Sequence, residues 1–524
     1  MPDLDRKHCN KRIEGKLDVN IILIVCDTFR FDNLSCYAGD LAKTPNLDSF
    51  SNEAFVFDNA YLSSFPTVPA RRDLMTGQYS CVHSQWGPLP SDSVVLQQIL
   101  SQRGIATMLI ADTPHIFQEG FNYCRDFDGY EWIRGQDNDH FRSHPRHVPM
   151  PEHPEKWCWE HRETLLRYRR NIAGRKGEED CFAPQTITAA MHWLDGNGRE
   201  APFFLYLDLF DPHEPWDAPQ KYVDLYDPGY KGSEIDYPLY GFWEGVLTPE
   251  ELRHCRALYS AEVTMVDEWL GRLLKKIDDL GLQEDTAVIF TSDHGFMLGE
   301  HDFIGKSKAS GESGYEALPF YQEIARIPLL IRLPDQNEGM HVKALAQFPD
   351  LMPTVLELAG IEMISEGIIG MSATQLLQCG MYGRQEWKLD PDSLHGVSLV
   401  PLMRGEVDRV REIAVSSHTL INATPAIAKT AIVTDDGWCL HYAGHYPDAM
   451  EGTNSAGLPI CPADQLELPA HPSLYFLPDD PGETNNLLDA NSSLAKKIHG
   501  LYVGFLESVG TPERYLSHRR KFVI

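Results

Sequence analysis

Five short apolar runs, with stretches of helical periodicity between them, constrain the fold of this chain more than any other feature. The runs cover residues 21–26, 106–110, 203–208, 287–291 and 328–332. Helical periodicity precedes the second and the fourth run, in residues 93–102 and 250–278. Runs of this length are typical of buried strands, and their alternation with helices predicts a doubly wound, mostly parallel sheet with helices on both faces. Functional sites of such α/β folds lie at the carboxyl ends of the strands.

The pattern changes near residue 405, and this predicts a second, smaller unit. Short alternating segments follow in residues 428–434, 438–442 and 473–477, with helical periodicity in 491–509. They predict a small antiparallel sheet with a covering helix. A chain of 524 residues is also long for one ordinary core. We therefore predict a catalytic domain in residues 1–404 and an α+β subdomain in residues 405–524.

Two segments of the larger unit do not fit the strand–helix alternation. Residues 135–176 are rich in His, Arg, Trp and Pro and are interpreted as a long excursion or lid over the site. Residues 363–395 are interpreted as a surface connection. Loops of such length often carry binding groups, so the excursion is expected to determine which organic group of a substrate is recognised.

The charge balance limits the classes of partner. Lys and Arg number 46 against 76 Asp and Glu, a formal charge of −30, which argues against nucleic acid because phosphate backbones need basic patches. A small anionic ester as substrate is compatible with this net charge, since a metal and a few cations in a cleft reverse the local electrostatic field. The first twenty residues are polar, and the nearby apolar run 21–26 is too short to cross a membrane. We expect no membrane association, reduced cysteines and a cytoplasmic location.

Acidic residues stand where two of the apolar runs end. Asp27 follows the first run, and Asp293 and His294 follow the fourth. A carboxylate at the exit of a buried strand is costly unless it is paired or binds a cation. Two aspartates and a histidine at one sheet edge predict a metal site suited to Mn²⁺, Ca²⁺, Mg²⁺ or Zn²⁺. The alternative is that Asp27 caps a helix and that Asp293 and His294 form a turn.

The stretch SSFPTVPARRDLMTGQYS supplies a candidate nucleophile. Thr67 lies just before a helix predicted to start around Ala70, so its hydroxyl would meet the positive end of the helix dipole. Arg71, one turn later, could orient the hydroxyl and neutralise charge that develops on it. Alternatively, the segment is a proline-rich turn in which Thr67 is only a helix cap.

The segment also resembles a known family. TVPARRDLMTGQY is similar to the sulfatase signature, in which Cys or Ser, any residue, Pro, a small residue and Arg precede a Leu-x-Thr-Gly-x-Tyr ending. Four further segments resemble family landmarks in the same order: TPNLDSFSNEAFVFDNAY, FPDLMPTVLELAGI, HGVSLVPLMRGE and LYFLPDDPGETNNLLD. The resemblance implies the alkaline phosphatase superfamily and its α/β fold, with a large mixed sheet between helices and a small C-terminal antiparallel sheet.

Within that superfamily, the chain resembles the phosphonate monoester hydrolase and phosphodiesterase group. Asp293 is followed by His294 where sulfatases commonly have Asn, and DTFR follows the first run where they have an Asp-Asp pair. The resemblance implies a single divalent metal, often manganese, held by Asp27, Thr67, Asp293 and His294.

The same resemblance assigns further residues. It implies catalytic roles for Arg71, for Lys306 in HDFIGKSK and for His213 in LFDPHEPW. Thr113 and His115, in ADTPH, occupy the region where relatives place substrate-binding groups. Lys306 could instead be a solvated surface lysine, and His115 a hydrogen-bonded loop histidine.

Threonine at position 67 departs from the family pattern. Formylglycine is made from Cys or Ser, so none is expected here. A formylglycine hydrate expels sulfate by collapsing to the aldehyde, whereas a threonine ester has to be cleaved by attack at phosphorus or sulfur. This favours cleavage of phosphodiesters or phosphonate monoesters through Thr67. A sulfatase lacking formylglycine, a phosphoryl transferase and an inactive binding protein remain alternatives. Relatives form dimers or tetramers, so a homo-oligomer is expected.

Overall fold

The structure is a computed structural model that describes most of the chain. The described residues are 19–149, 151–157, 162–199, 202–309, 315–361, 368–370, 387–420, 430–444 and 471–523. Most of the predicted surface connection 363–395 lies outside them, as do the first two residues of the predicted segment 428–434.

The strands of the described residues vary from two to eight residues in length. In chain order they are β1 (Asn20–Cys26), β2 (Phe55–Tyr61), β3 (Ser64–Phe65), β4 (Ala106–Ala111), β5 (Gly129–Trp132), β6 (Phe203–Leu209), β7 (Gly241–Phe242), β8 (Thr286–Ser292), β9 (Met297–Leu298), β10 (Phe303–Gly305), β11 (Ser307–Ala309), β12 (Tyr315–Ala317), β13 (Leu329–Arg332), β14 (Met340–Gln347), β15 (Ile368–Ile369), β16 (Lys388–Leu389), β17 (Ile413–His418), β18 (Thr430–Thr434), β19 (Trp438–Tyr442) and β20 (Ser473–Phe476).

The α-helices of the same residues are α1 (Pro45–Ser51), α2 (Thr67–Thr76), α3 (Leu96–Gln102), α4 (Arg162–Ile172), α5 (Phe182–Asn197), α6 (Gln220–Val223), α7 (Pro249–Asp279), α8 (Gln322–Ala325), α9 (Leu351–Leu358), α10 (Val400–Met403), α11 (Ser492–Ser508) and α12 (Glu513–Leu516). In the described part of the chain, no helix has the length and hydropathy needed to cross a membrane.

Eight of the described strands form one mixed sheet in the order β14-β2-β13-β8-β1-β6-β4-β5. β1 pairs in parallel with β6 and β8, while β13 runs antiparallel to its neighbours β8 and β2. The five predicted runs all lie in this sheet, as β1, β4, β6, β8 and β13. The predicted α/β fold with a large mixed, mostly parallel sheet is therefore confirmed.

Strand β1 shows why its sequence is a continuous apolar run. Ile21, Leu23 and Val25 pack into the core that contains α2, α3 and α9. Ile22 and Ile24 pack into the opposite core, with α1, α5 and α7. Because successive side chains of a strand point to opposite faces, a strand covered on both faces needs apolar residues at every position.

A second sheet of the described strands has the order β20-β19-β18-β17-β3 and is covered by α11. Its edge strand β3 comes from the N-terminal half and pairs in parallel with β17, with Phe65 opposite His418. The small sheet and its helix were predicted, but the participation of β3 was not. The segment just before Thr67 is thus attached to the C-terminal sheet. The domain boundary at residue 405 stays a prediction.

Arg411 connects the two sheets through a buried ion pair. It donates to the Asp350 carboxylate, which is fully buried, and to the Tyr79 hydroxyl at 2.5 Å. The Gln347 side chain accepts from the main-chain nitrogen of Val415 at 2.9 Å in the same region. An ion pair that is shielded from water resists separation because each charge would be left without solvent.

We predict that Arg411→Ala destabilises the protein by roughly 3–5 kcal/mol, because it leaves the Asp350 carboxylate buried without a cation. Arg409→Ala is the matched control: Arg409 is exposed and pairs with Asp435 at the surface, so its loss should cost about 0–1 kcal/mol. Thermal unfolding of the three proteins measures both effects. Equal midpoints for the two variants would contradict the role of Arg411.

Candidate active site

Neighbouring strand ends bring the predicted metal ligands together. Asp27 directly follows β1, and Asp293 and His294 directly follow β8, the parallel neighbour of β1. Donor atoms of the three side chains lie within 4.8 Å of one another, and all three are buried. His294 Nε2 is 3.9 Å from Asp27 Oδ1 and 3.6 Å from Asp293 Oδ2. The sequence analysis placed this cluster at the sheet edge where it is found.

The donors of this cluster fit a divalent cation. Within the described residues, neither carboxylate oxygen of Asp27 has a hydrogen-bond partner, and neither does His294 Nε2. His294 Nδ1 donates to the Gly295 carbonyl at 3.0 Å, which leaves the Nε2 lone pair for a metal. Buried oxygens that accept no hydrogen bond and an imidazole lone pair are costly without a divalent cation, although Arg71 Nη1 lies 3.1 Å from Asp27 Oδ2, and they form a suitable ligand set with one.

The electrostatics of the two carboxyls differ. Burial and the neighbouring Asp293 charge raise the pKa of Asp27 well above its usual value. Burial also acts on Asp293, but the charges of His294 and Arg71 outweigh it and lower the pKa of Asp293 to about 2. A cation at this position would favour the ionised form of both groups.

Arg71 lies at the centre of the cluster and is itself fully buried. Its Nη1 contacts Asp293 and lies 3.1 Å from Asp27 Oδ2, and it is 3.3 Å from the Thr67 carbonyl oxygen. Its Nε and Nη2 donate to the two oxygens of Asp208 at 3.1 and 2.8 Å. This bidentate pair fixes the plane of the guanidinium group.

Asp208 is the main site residue that the sequence analysis missed. It belongs to β6, beside β1, and accepts hydrogen bonds from the hydroxyls of Thr113 and Tyr206, both at 2.6 Å. The apolar run 203–208 ends on this aspartate, so the same strand-end argument could have found it. The Thr113 hydroxyl donates its hydrogen bond to Asp208, so in this structure Thr113 helps to hold the Asp208 carboxylate in place. Its role in substrate binding stays a prediction.

Thr67 is the first residue of α2 and is buried. The helix thus begins three residues before the predicted start at Ala70, because a proline in the first turn, here Pro69, lacks only an amide hydrogen that the helix would not use. Asp73, one and a half turns further on, fixes the segment: its carboxylate accepts from the Ser63 hydroxyl, from Ser64 N at 3.1 Å and from Ser80 N at 2.7 Å.

Lys306 and His213 form a close pair. Lys306 Nζ lies 2.6 Å from His213 Nε2, and His213 Nδ1 lies 2.7 Å from the Glu214 carbonyl oxygen. Burial and the Lys306 charge hold the pKa of His213 well below its usual value. A neutral imidazole that donates from Nδ1 accepts at Nε2, so His213 accepts a hydrogen bond from the Lys306 ammonium group.

The predicted excursion contributes to the surroundings of this pair. His115 Nε2 is 3.5 Å from Asp137 Oδ2, whose pKa burial raises to about 7. The Phe210 ring contacts both imidazoles, stacked on His213 with centroids 4.1 Å apart and edge-on to His115 at 5.5 Å. His115 is therefore near the Lys306–His213 pair, and its role in substrate binding stays a prediction.

An aromatic contact joins the site to the C-terminal sheet. The Phe65 ring is 4.8 Å from His294 and 4.8 Å from His418, measured between ring centroids. Burial lowers the pKa of His418 to about 4. No local sequence pattern indicates this contact, since it depends on the pairing of β3 with β17.

The chain is similar to known proteins over much of its length. The sequence profile of the sulfatase family matches residues 19–361. The chain is 30% identical over 394 residues to the multifunctional alkaline phosphatase superfamily protein PehA of Trinickia caryophylli, with 66% of this chain and 74% of the relative covered. It is 30% identical over 386 residues to an ulvan-active sulfatase of Formosa agariphila, with coverages of 68% and 65%. The phosphonate monoester hydrolase of Agrobacterium radiobacter has a similar fold, with a TM-score of 0.62, 21% identity and coverages of 94% and 95%.

We predict that Mn²⁺ raises the melting temperature of the wild-type protein and not that of Asp27→Asn. A ligand at a hundredfold its Kd stabilises the folded state by roughly 2.7 kcal/mol. Asp112→Asn is the control, because Asp112 also follows a buried strand but its oxygens already accept from Phe210 N and the Thr186 hydroxyl. A metal-dependent shift that survives Asp27→Asn, or is lost in Asp112→Asn, would contradict the assigned cluster.

Proposed function

The chain belongs to the sulfatase family of ester hydrolases, and on that premise we propose that it is a metal-dependent hydrolase that cleaves phosphodiesters or phosphonate monoesters with Thr67 as the nucleophile. The substrate is a small anionic ester, and the metal is a single divalent ion, with Mn²⁺ the preferred candidate. In this proposal, the acidic chain has neither nucleic acid nor a membrane as a partner. It works in the cytoplasm and forms a homo-oligomer.

The observation that carries the proposal is a threonine at the N-terminus of α2, where Arg71 contacts its carbonyl oxygen. A hydroxyl nucleophile forms an ester that only a second attack at phosphorus or sulfur can cleave. Phosphoryl and phosphonyl centres accept such attack in two successive displacements, whereas the sulfate route of this family depends on the aldehyde of formylglycine. The residue at position 67 therefore favours phosphorus chemistry.

The relatives support the same direction. One relative at 30% identity is described as a multifunctional alkaline phosphatase superfamily protein, and a phosphonate monoester hydrolase shares the fold. The ulvan-active sulfatase of the same identity favours the second candidate, a sulfuric ester hydrolase that works without formylglycine.

Family members depend on a divalent metal, and here Asp27, Asp293 and His294, with the Thr67 oxygen, would hold it. The bound ion supplies Lewis-acid stabilisation of anionic oxygens. Arg71, oriented by Asp208, holds positive charge beside the nucleophile and the transferring group, where charge builds up in the transition state.

The Lys306–His213 pair serves the leaving group. Lys306 donates a hydrogen bond or a proton to the departing oxygen, and neutral His213 aims the ammonium group by accepting one of its hydrogens. This assigns the proton to Lys306 and an orienting contact to His213.

The reaction then has two displacements. Thr67 Oγ1 forms a bond to phosphorus as the bond from phosphorus to the leaving oxygen breaks, and the threonine loses its proton to solvent. Water next attacks the phosphorus of the phosphothreonine or phosphonothreonine, the bond to Thr67 Oγ1 breaks, and the hydroxyl is regenerated. An alcohol in place of water would make the enzyme a transferase.

The proposal is tested with four nitrophenyl substrates in the presence of Mn²⁺: a phosphate diester, a phosphonate monoester, a phosphate monoester and a sulfate. We predict the highest kcat/KM for the diester or the phosphonate. Thr67→Ala should lower kcat by roughly 10⁴–10⁶-fold, the scale found when a covalent nucleophile is removed. Thr67→Ser keeps the hydroxyl and should keep most of the activity.

Other outcomes of this experiment have definite meanings. A preference for the sulfate would replace the proposal by the sulfatase candidate. Full activity of Thr67→Ala would exclude a threonine nucleophile. A product that forms only with an added alcohol would indicate a transferase, and a metal-loaded protein inactive on all four esters would favour a binding protein.

The role of Lys306 gives a separate prediction. Lys306→Met should lower kcat by roughly 10²–10⁴-fold for an alkyl leaving group and much less for nitrophenol, which needs little protonation. Lys221→Met is the control, because Lys221 is an exposed lysine that pairs with Glu178. Equal losses for good and poor leaving groups would contradict the assignment.

The low pKa of His213 also predicts the pH profile. Because His213 stays neutral below its usual pKa, titration of His213 should give the wild-type kcat no acid-side inflection near pH 6.5, the value of a free imidazole. Protonation at lower pH would remove the acceptor for Lys306, so activity falls only there. An inflection near pH 6.5 that disappears in His213→Gln would show an ordinary, exposed histidine instead.

A further inference from the structure

A second cluster of metal-ligating side chains lies in the C-terminal sheet. Cys439 and His441 are two residues apart on β19 and so point to the same face of the strand. Glu483 reaches them from the turn that follows β20. One donor atom from each of the three lies within 4.8 Å of the others, and all three side chains are buried. None of them belongs to the cluster formed by Asp27, Asp293 and His294.

Three polar atoms of this cluster form no hydrogen bond within the described residues. Among the described residues, no hydrogen bond is formed by His441 Nδ1, His441 Nε2 or Glu483 Oε1, although all three atoms are shielded from water. His441 Nε2 lies 3.0 Å from Glu483 Oε1, but the two are not aligned for a hydrogen bond. Buried polar groups are nearly always satisfied in folded proteins, so this set requires an explanation.

A simple ion pair explains the cluster incompletely. A protonated His441 beside an ionised Glu483 would account for one ring nitrogen and one oxygen. It would give the Cys439 thiol only a hydrogen bond to the Glu483 carboxylate, and a thiol is a weak donor. A cation bound by all three groups accounts for the thiol, one imidazole nitrogen and the carboxylate together.

We propose that Cys439, His441 and Glu483 form a second metal site, separate from the catalytic one, that binds zinc. A thiolate, an imidazole and a carboxylate are the donor types that zinc takes in proteins, and a thiolate disfavours Mg²⁺, Ca²⁺ and Mn²⁺. On binding, Cys439 releases its thiol proton to solvent and no group is oxidised or reduced. The fourth tetrahedral position takes a water molecule or another donor.

The surroundings give the site a structural role. The second oxygen of Glu483 accepts from Gln322 N at 2.8 Å, at the start of α8. Tyr321 contacts the His441 ring edge-on at 5.1 Å and stacks on His301 at 3.6 Å. His301 lies between His294 and Lys306 in the chain, so the bound metal would hold the C-terminal sheet against the segment that carries Lys306.

The test counts metal in a chain whose catalytic site is disabled. Asp27→Asn is grown with zinc, dialysed against a chelator that removes weakly held metal, and analysed by elemental mass spectrometry. We expect one zinc per chain to remain, and X-ray absorption to show one sulfur among its ligands. Adding Cys439→Ser or His441→Gln should remove that zinc. Adding Cys255→Ser should leave it, because Cys255 is an equally buried thiol that donates to the Ile235 carbonyl.

Each outcome decides the proposal. A folded Asp27→Asn chain without zinc, or with zinc that survives Cys439→Ser, would overturn it, and so would zinc with no sulfur ligand. If the added substitutions prevent folding, the absorption spectrum and zinc content of Asp27→Asn alone still decide. The test uses no substrate, so it is independent of the proposed function.

Discussion

The contact of Arg71 with three buried aspartates is the interaction on which the rest of the site depends. Asp27, Asp208 and Asp293, if all ionised, carry three negative charges against the single positive charge of Arg71, which leaves two unbalanced negative charges in a region closed to solvent. Such a charge is costly without a second cation, and burial accordingly raises the pKa of Asp27 well above its usual value. A divalent ion would neutralise it, which ties the stability of the sheet edge to the metal dependence of the family.

Arg71 also connects this charge balance to Thr67, the proposed nucleophile. It belongs to the first turns of the helix that begins at Thr67, so a guanidinium fixed by Asp208 fixes the helix N-terminus as well. The residues just before Thr67 are held by the pairing of β3 with the C-terminal sheet and by the hydrogen bond from Ser64 N to the Asp73 carboxylate. Thr67, the proposed nucleophile, is thus positioned by contacts from both sheets, and such preorganisation is what displacement at phosphorus would require.

Whether the sequence predicted a site residue depends on the position of that residue relative to an apolar run. Asp27 and Asp293 stand immediately after apolar runs, so the strand-end rule found them. Asp208 is the last residue of its run and was counted as part of the strand. The Lys306–His213 hydrogen bond joins residues 93 positions apart, and only the folded chain shows that His213 accepts from Lys306. The helix start moved from Ala70 to Thr67 because a proline in the first turn does not delay a helix.

The sequence by itself determined the α/β sheet, the family and the candidate metal ligands, because the pattern of apolar runs and the polar residues that follow them are local properties of the chain. The identity of residue 67 was also a matter of sequence, and with it the chemical argument for phosphorus. The tertiary structure decided how Arg71 is oriented, how Lys306 is aimed, and that Cys439, His441 and Glu483 meet. These arrangements depend on strands and turns that are remote in sequence. Only packing brings their side chains together, so no local sequence pattern encodes the distances between them.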